Sequence, residues 1–163
     1  MFENRRVAVV VPAYNEEKLI DRVLETMPVF VDRIIVVDHA STDGTADALA
    51  AAQARMGGRL RVIHHGKNSG VGAAIVTGYR LAVEEAQGND LVVVMAGDAQ
   101  MDPADLPRVL APVLRGEADY VKGDRLSFPG ARRHMPWTRW LGNWALSFLT
   151  RLVTGIEVHD SQC

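Results

Sequence analysis

The sequence has very little cysteine and no long apolar run. Its one cysteine, Cys163, is the last residue and has no partner for an internal disulfide or for a cysteine-based zinc site. No apolar stretch approaches the roughly 18 to 20 residues that a transmembrane helix needs, and residues 1–6 are too polar for the start of a signal peptide. These absences predict a protein of the cytoplasm.

An excess of charge of either sign is also lacking. Lys and Arg total 18 against 20 Asp and Glu, which gives a formal net charge of −2, so no global basic field predicts a nucleic-acid partner. The 163 residues are 48% apolar and 23% charged, which is typical of an ordinary soluble domain. The composition therefore excludes a disordered chain, a collagen and a disulfide scaffold, and it predicts a single domain.

Short apolar runs alternate with helical stretches from the start of the chain. The runs that predict strands, the first four of them nearly continuous in apolar character, are residues 7–11, 33–37, 60–64, 91–95 and 119–122. The stretches that predict helices, each followed by a proline or glycine stop signal, are residues 16–26, 45–56, 73–86 and 104–115. This alternation predicts an α/β fold with a twisted, mostly parallel sheet and helices on both faces.

The last part of the chain is basic and aromatic. Residues 122–151 hold one lysine, five arginines and all three tryptophans against the single acidic residue Asp124. Apolar side chains recur at helical spacing over residues 137–153, which predicts an amphipathic helix. That helix either packs on the sheet or lies against a bilayer beside its basic neighbours.

The residues that follow each predicted strand are candidates for a binding site, because ligands of open parallel sheets bind beyond the carboxyl ends of the strands. Polar segments follow the first, second and fourth strands, at residues 12–17, 38–45 and 96–103. A dinucleotide fold would carry G-x-G-x-x-G after the first strand, where this chain has Pro12 and Tyr14. The pair Gly70 and Gly72 lacks that full fingerprint and fits a turn that opens the next helix equally well.

Asp98 is the strongest candidate for a metal ligand. Without a phosphate cradle at a helix terminus, a diphosphate is most readily neutralised by a divalent cation held on carboxylates. Asp98, with Gln100 or Asp102, could supply the hard oxygen ligands that suit Mg²⁺ or Mn²⁺. Alternate residues of an extended turn project to one side, so all three are expected to face one ion. Asp102 precedes Pro103 and equally fits a helix N-cap.

Asp38 ends a buried predicted strand at the same edge of the sheet. Its carboxylate could accept hydrogen bonds from the N–H groups of a base or from ribose hydroxyls. The following Ser41 and Asp43 are typical of a capped helix start and need have no further role. His64 and His65 have no partner at a recognisable ligand spacing, which favours structural roles for both.

Five segments together resemble glycosyltransferase family 2, the inverting enzymes of the GT-A fold. They are V-V-V-P-A-Y-N-E-E at residues 9–17, I-V-V-D-x-x-S-T-D-G-T at 35–45, N-x-G-x-G at 68–72, G-D-A-Q-M-D-P at 97–103 and G-D-R at 123–125. The resemblance spans essentially the whole chain. The D-A-Q form at residues 98–100 and D-S-Q-C at residues 160–163 are most similar to the branch of dolichol-phosphate mannosyltransferases and polyprenyl-phosphate glycosyltransferases.

The resemblance implies a Rossmann-like nucleotide-diphospho-sugar transferase fold and roles for particular residues. The nucleotide would be held by Pro12, Tyr14, Glu16, Val36, Asp38, Asp98 and Ala99. The metal on the diphosphate would be carried by Asp98 and its neighbours Gln100 and Asp102. The predicted catalytic residues are Asp98, Arg125, which would contact phosphate, and Asp160, which would lie near the acceptor.

Two positions depart from the family pattern. The usual Asp-Asp after the second strand is Asp38-His39 here, and the usual Asp-x-Asp is Asp98-x-Gln100. The first change affects the base contacts, and the second moves a ligand charge, for which Asp102 is the candidate. Family members also continue past the position of Cys163, so residues 1–163 are expected to be one catalytic domain truncated at its C-terminal end.

The expected reaction is transfer of a hexose from a GDP- or UDP-sugar to a polyprenyl phosphate such as dolichyl or undecaprenyl phosphate. A phosphate monoester has a second pKa near 6, so this nucleophile is largely ionised and needs little help from a base. One alternative is a saccharide or other hydroxyl acceptor, for which Asp160 would be a necessary base. Another is a relative that binds nucleotide without turnover. A flavodoxin-like redox domain is disfavoured because the loops are acidic.

The acceptor is also expected to bring the protein to a membrane surface. A polyprenyl phosphate has an anionic head that needs basic side chains, for which Arg125, Arg132 and Arg133 are the candidates. Its apolar tail stays near lipid, and indole rings such as those of the three tryptophans favour the membrane interface. Together these features predict a peripheral protein at the inner face of the membrane.

Overall fold

The computed structural model describes residues 1–88, 90–123 and 137–154. The chain divides into two compact units, Met1–Leu106 and Pro107–Cys163. The first unit contains, in chain order, β1 (Val7–Ala13), α1 (Ile20–Glu25), β2 (Arg33–Asp38), α2 (Thr45–Met56), β3 (Leu60–His64), α3 (Val71–Glu84) and β4 (Leu91–Val94), with 3₁₀ helices at Gly57–Arg59 and Pro103–Asp105. Helix α4 (Leu106–Leu114) begins at the boundary, and α5 (Trp137–Thr154) lies in the second unit.

The strands of the first unit form one parallel sheet in the order β3-β2-β1-β4. Strand β1 is central, and its Val10 pairs with Ile35 of β2 on one side and with Val94 of β4 on the other. Valine and isoleucine side chains fill both faces of β1 and β2 because both faces are covered by other elements, as parallel sheets require. The predicted α/β fold with a parallel sheet is confirmed.

The chain reverses its direction across the sheet between β3 and β4. It moves from β1 to β2 to β3 in one direction and then crosses back to place β4 on the far side of β1. Right-handed crossovers therefore put α1 and α2 on one face and α3 on the other. The reversal leaves a crevice between the carboxyl ends of β1 and β4, which is where open α/β sheets bind their ligands.

Helix α3 approaches the sheet closely through its small residues. Its Ala74 and Ala82 are buried in one cluster with Val10, Ile35 and other sheet residues. Between them lies Gly78, where an added Cβ would clash with Cγ1 of Val10. The absence of a side chain at this position therefore sets the distance between the helix and the central strand.

Most predicted elements are present, with helix α2 at the predicted bounds. Helix α1 was expected from residue 16 and begins at Ile20. The residues before it are drawn into contacts with the loop after β2, since the backbone N–H of Glu16 donates to Oγ1 of Thr45 at 2.9 Å and that of Glu17 donates to Oδ2 of Asp43 at 3.2 Å. These contacts replace the first helical turn.

The fifth predicted strand is wrong. Residues 119–122 lie outside any strand or helix, and Tyr120 within them is exposed. A four-residue run forms a strand only where a neighbouring strand satisfies its backbone hydrogen bonds. Within the part of the chain that the structure describes, no strand pairs with these residues.

Helix α5 confirms the predicted helix over residues 137–153, with bounds at Trp137 and Thr154. Five of its described apolar side chains are exposed, and three of them, Trp144, Phe148 and Leu152, follow one another at a spacing of four residues. The rings of Trp144 and Phe148 stack with their centroids 6.0 Å apart. Within the described residues, no helix combines the length and the apolar character needed to cross a membrane.

The packing of α3 predicts opposite effects for two glycines of the same helix. Gly78→Ala should lower the free energy of unfolding by about 1 to 3 kcal/mol, because the new methyl group overpacks against Val10. Gly72→Ala is the control, since no atom lies within 4 Å of its added Cβ, and it should leave stability unchanged or raise it by up to about 1 kcal/mol. Urea unfolding measures both. Equal responses of the two variants would contradict the packing described here.

Candidate functional site

The loops after β1 and β4 meet at the crevice between these strands. The N–H of Gly97 donates to the carbonyl oxygen of Pro12 at 3.3 Å. A Cβ at position 97 would stand 3.2 Å from that oxygen and 3.5 Å from Cγ of Glu16. Glycine therefore permits an approach that brings Asp98, the next residue, beside Glu16.

The carboxylates of Glu16, Asp98 and Asp43 lie close enough together at this crevice to interact electrostatically. The pKa of Glu16 is raised by partial burial, and further raised by the negative charges of Asp98 and Asp43. Like charges at close range disfavour the ionised form of each other. The crevice of the free protein is therefore an electrostatically unfavourable place for a further negative charge and a favourable one for a cation.

The Asp98 loop is a turn rather than an extended segment. Oδ1 of Asp98 accepts a hydrogen bond from the backbone N–H of Gln100 at 3.0 Å, and Ala99 between them has φ +56°. The expectation that alternate residues project to one side from an extended turn is therefore wrong. Oδ1 of Asp102 accepts from the N–H of Ala104 at 2.9 Å, so Asp102 caps the following 3₁₀ helix.

The residues at the crevice fit a hard divalent cation. Mg²⁺ usually binds through one or two carboxylates and completes its shell with water and substrate phosphates. The half-buried Asp98, beside a second carboxylate that burial and repulsion destabilise, offers this chemistry. Within the described ranges, no group of three or more His, Cys, Asp or Glu residues is arranged to hold an ion. That Gln100 and Asp102 are metal ligands remains a prediction.

The loops after β1 and β2 are tied together by reciprocal hydrogen bonds. The N–H of Asn15 donates to Oγ of Ser41 at 3.0 Å, and Oδ1 of Asn15 accepts from the N–H of Thr42 at 2.8 Å. Sequence reasoning assigned no role to Asn15. Its contacts join residues 26 and 27 positions apart, and only the parallel pairing of β1 with β2 brings them together.

Each of the three loops at this edge contains a non-glycine residue in the left-handed region. They are Asn15 (φ +57°), Ala40 (φ +67°) and Ala99 (φ +56°). For alanine this conformation costs roughly 1 to 2 kcal/mol and persists only where the surroundings enforce it. The hydrogen bonds of Asn15 and Asp98 supply that enforcement in two of the loops.

Asp38 is buried at the end of β2, as expected, but its carboxylate is engaged within the protein. Oδ1 accepts from the N–H of Ser41 at 3.0 Å, and Oδ2 lies 2.9 Å from Nδ1 of His64. Burial acts to raise the pKa of Asp38, but hydrogen bonds from Ser41 and His64 outweigh it and hold the pKa below its ordinary value. Asp38 is therefore an ionised hydrogen-bond acceptor.

Sequence reasoning missed the contact between Asp38 and His64. It predicted structural roles for His64 and His65. Asp38 and His64 are 26 residues apart and end neighbouring strands in register. The position of the two residues could have indicated the pair, since Asp38 directly follows its predicted strand and His64 is the last residue of its own. Whether two such strands are neighbours depends on the sheet order, which is a property of the fold.

The other predicted nucleotide-binding residues divide by exposure. Tyr14 is exposed and its ring stacks on that of His39, with centroids 5.0 Å apart and an interplanar angle of 27°. The ring of His39 is buried, and its Nδ1 has no hydrogen-bond partner among the described residues. Pro12 and Val36 lie buried within β1 and β2. Among Pro12, Tyr14 and Val36, Tyr14 therefore presents its side chain to solvent.

Four predicted residues lie outside the described residues. They are Arg125, Arg132, Arg133 and Asp160. Their roles in phosphate binding and at the acceptor remain predictions.

A parallel sheet with carboxylates at its switch point is an architecture of GT-A glycosyltransferases, and solved structures of that class are similar to this chain. One is glucosyl-3-phosphoglycerate synthase of Mycobacterium tuberculosis, in complex with Mn²⁺, uridine diphosphate and glucosyl-3-phosphoglycerate. It shares 28% identity with a TM-score of 0.53 over 70% of this chain and 41% of its own. The chain belongs to glycosyl transferase family 2, whose model matches residues 8–162.

Curated relatives act on polyprenyl phosphates according to their names. A UDP-N-acetylglucosamine–dolichyl-phosphate N-acetylglucosaminyltransferase of Methanococcus voltae is 33% identical over 98% of this chain and 67% of its own length. An undecaprenyl-phosphate mannosyltransferase of Micrococcus luteus is 32% identical over 95% of this chain and 63% of its own length. A third relative, a dodecaprenyl-phosphate galacturonate synthase, is matched over 47% of its length. The chain thus spans between about half and two-thirds of these relatives.

The burial of the Glu16 carboxylate and its repulsion by Asp98 and Asp43 predict that Glu16→Gln stabilises the free protein. A carboxylate whose pKa is raised in the folded state destabilises that state when ionised, and this cost disappears below its ordinary pKa of 4.5. The variant should therefore melt at a higher temperature than the parent at pH 7, and the difference should shrink towards pH 4.

Glu17→Gln is the matched control for this measurement. Oε2 of Glu17 accepts from the N–H of Gly44 at 3.2 Å, so its removal should bring no gain at pH 7. A gain for Glu16→Gln that persists unchanged at pH 4, or no gain at pH 7, would contradict the electrostatic account.

Proposed function

We propose that this chain is the catalytic part of an inverting glycosyltransferase that moves a hexose from a GDP- or UDP-sugar to a polyprenyl phosphate. The observation that carries the proposal is the pair of carboxylates, Glu16 and Asp98, at the crevice between β1 and β4. Family membership and the names of the relatives support transfer of a sugar to a lipid phosphate.

A nucleotide sugar fits the chemistry of this edge of the sheet. The exposed ring of Tyr14 offers a flat apolar surface to a base. The ionised Asp38 and its neighbours offer acceptors to N–H and O–H groups of a nucleoside. A diphosphate beside Glu16 and Asp98 would need a cation between like charges. The uridine diphosphate and Mn²⁺ in a similar solved structure support this combination.

Mg²⁺ or Mn²⁺ would be held by Asp98, with Gln100 or Asp102 from the same loop as further candidates. When bound, such an ion stabilises the negative charge that develops on the leaving diphosphate. The contribution of the chain is orientation, since the N–H of Gln100 fixes Oδ1 of Asp98 and the left-handed Ala99 fixes the turn. The carboxylate is thereby directed before the ligand arrives.

The acceptor oxygen attacks the anomeric carbon from the side opposite the diphosphate. The bond between that carbon and the diphosphate oxygen breaks, its electron pair leaves with the diphosphate, and a glycosyl phosphodiester forms. A phosphate acceptor is already ionised at neutral pH, so Asp160 would orient the acceptor more than it would remove a proton. Arg125, Arg132 and Arg133 would bind the anionic head of the acceptor.

A second candidate is transfer to a hydroxyl acceptor. The similar solved enzyme is named for glucosyl-3-phosphoglycerate, which is not a lipid-linked product. A hydroxyl nucleophile must lose a proton as it attacks, so Asp160 would be an indispensable base. Comparison of a polyprenyl phosphate with 3-phosphoglycerate as acceptor separates the two functions.

The proposed metal role predicts that Asp98→Ala abolishes stabilisation by UDP or GDP in the presence of Mn²⁺. A ligand that binds only the folded state at 100 times its Kd stabilises the parent by about 2.7 kcal/mol, and the variant should show almost none of this. Thermal unfolding with and without Mn²⁺ measures the effect. Asp47→Ala, which removes an exposed carboxylate of α2, should respond as the parent does. Equal nucleotide stabilisation in Asp98→Ala would remove the basis of the metal assignment.

The proposed lipid acceptor predicts binding to anionic membranes. Arg132→Ala with Arg133→Ala should weaken co-sedimentation with vesicles that contain phosphatidylglycerol, since each charge near such a surface contributes about 1 kcal/mol. Trp144→Ala with Phe148→Ala removes part of the exposed apolar stripe of α5 and should weaken binding at high salt as well. Val83→Ala removes an exposed apolar side chain of α3 and is the control. No binding of the parent at low salt would contradict membrane association.

A further inference from the structure

The row of residues that closes the carboxyl edge of the sheet contains a histidine that the proposed function leaves unused. Ala13 of β1 pairs with Asp38 of β2, and Asp38 pairs with His64 of β3. Adjacent strands lie about 4.8 Å apart, so this row spans roughly 10 Å, which is about the length of a nucleoside. Tyr14 follows directly at its β1 end.

The two members of the Asp38 and His64 pair differ in accessibility. The Asp38 side chain is 5% exposed, whereas that of His64 is 52% exposed. Both oxygens of Asp38 already accept hydrogen bonds from within the protein. A ligand that approaches the ends of β2 and β3 therefore meets the imidazole ring of His64 before the carboxylate.

The bond to Asp38 determines which ring nitrogen of His64 carries the proton. The hydrogen bonds that hold the pKa of Asp38 low keep it ionised, and a carboxylate has no proton to donate. Nδ1 of His64 must therefore be the donor across the 2.9 Å contact. In the neutral ring Nε2 then bears a lone pair, and the carboxylate behind Nδ1 makes that lone pair a better acceptor.

The adjacent His65 has the opposite arrangement and serves as an internal comparison. Its Nε2 lies 3.0 Å from Oγ1 of Thr77 on α3. The hydroxyl hydrogen of Thr77 is donated to the carbonyl oxygen of Ala73 at 3.0 Å, so Oγ1 must accept from His65. That histidine is therefore a donor that ties β3 to α3, which is a structural role.

We propose that His64 binds the nucleoside of the donor, with Asp38 holding the ring so that Nε2 accepts a hydrogen bond from a base N–H or a ribose hydroxyl. This inference rests on the proposed function, since it names a contact for the nucleotide of that reaction. It also changes the role of Asp38, which becomes a positioning residue that acts through His64.

His64→Asn separates the two functions of the ring. An asparagine amide can still donate to Asp38 from the place of Nδ1, but it cannot place an acceptor where Nε2 lies. The affinity for UMP and for GMP is measured by calorimetry on the full chain without metal. For whichever nucleotide the parent binds, we expect the affinity of His64→Asn to be about fivefold to tenfold lower. His65→Asn should keep the parent affinity. Far-UV circular dichroism and the melting temperature confirm that both variants fold.

A second measurement concerns the free protein and needs no nucleotide. The ¹⁵N chemical shifts of the His64 ring should identify a protonated Nδ1 and an unprotonated Nε2, and addition of the nucleotide should shift the Nε2 signal. A proton on Nε2 in the free protein overturns the inference. An unchanged nucleotide affinity of His64→Asn also overturns the inference, but it does not contradict the proposed function. Failure of the parent to bind either nucleotide removes the nucleotide donor itself, and the inference with it.

Discussion

The close approach of the loops after β1 and β4 is the constraint on which the candidate site depends. It exists because position 97 has no side chain, so that its backbone reaches the carbonyl of Pro12 and brings Asp98 beside Glu16. The approach raises the pKa of Glu16 through burial and through the charge of Asp98. The sheet provides the energy for this arrangement, since the buried valines of β1 hold both loops in place. The free site is thus less stable than it would be with a cation between its carboxylates.

The part of the site around Asp38 is built differently, because the charge of its carboxylate is stabilised by groups of the protein itself. Around Asp38, hydrogen bonds from Ser41 and His64 satisfy the buried carboxylate before any ligand arrives. The crevice between β1 and β4 therefore favours an external positive charge, whereas the ends of β2 and β3 present prepared hydrogen-bond acceptors near the ring of Tyr14. A nucleoside diphosphate with a divalent cation would offer complementary groups to both places, which is the basis for proposing a nucleotide sugar as the donor.

The strands and helices that depend on the residues within them could be predicted from the sequence, whereas features that depend on contacts between distant segments could not. Continuous β-branched runs identify β1 to β4, and helical spacing with the stop at Gly57 identifies α2. Residues 119–122 carry a shorter apolar run, Tyr120 and Val121, and find no partner strand in the described part of the chain, since pairing is not encoded in four residues. The Asp98 turn was mistaken for an extended segment because its shape depends on one side-chain hydrogen bond and the left-handed Ala99. The His64 contact depends on sheet order, which no local pattern contains.

The central claim is that a divalent cation and a nucleotide bind together at the crevice between β1 and β4. Paramagnetic broadening by Mn²⁺ tests it directly on ¹⁵N-labelled protein, because the effect falls steeply with distance from the ion and needs no turnover. With UDP or GDP present, Mn²⁺ should broaden the amide signals of Gly97, Asp98 and Glu16, whereas Mn²⁺ without nucleotide should broaden them much less. Broadening centred on an exposed carboxylate such as Asp47 of α2, or no dependence on nucleotide, would contradict the account.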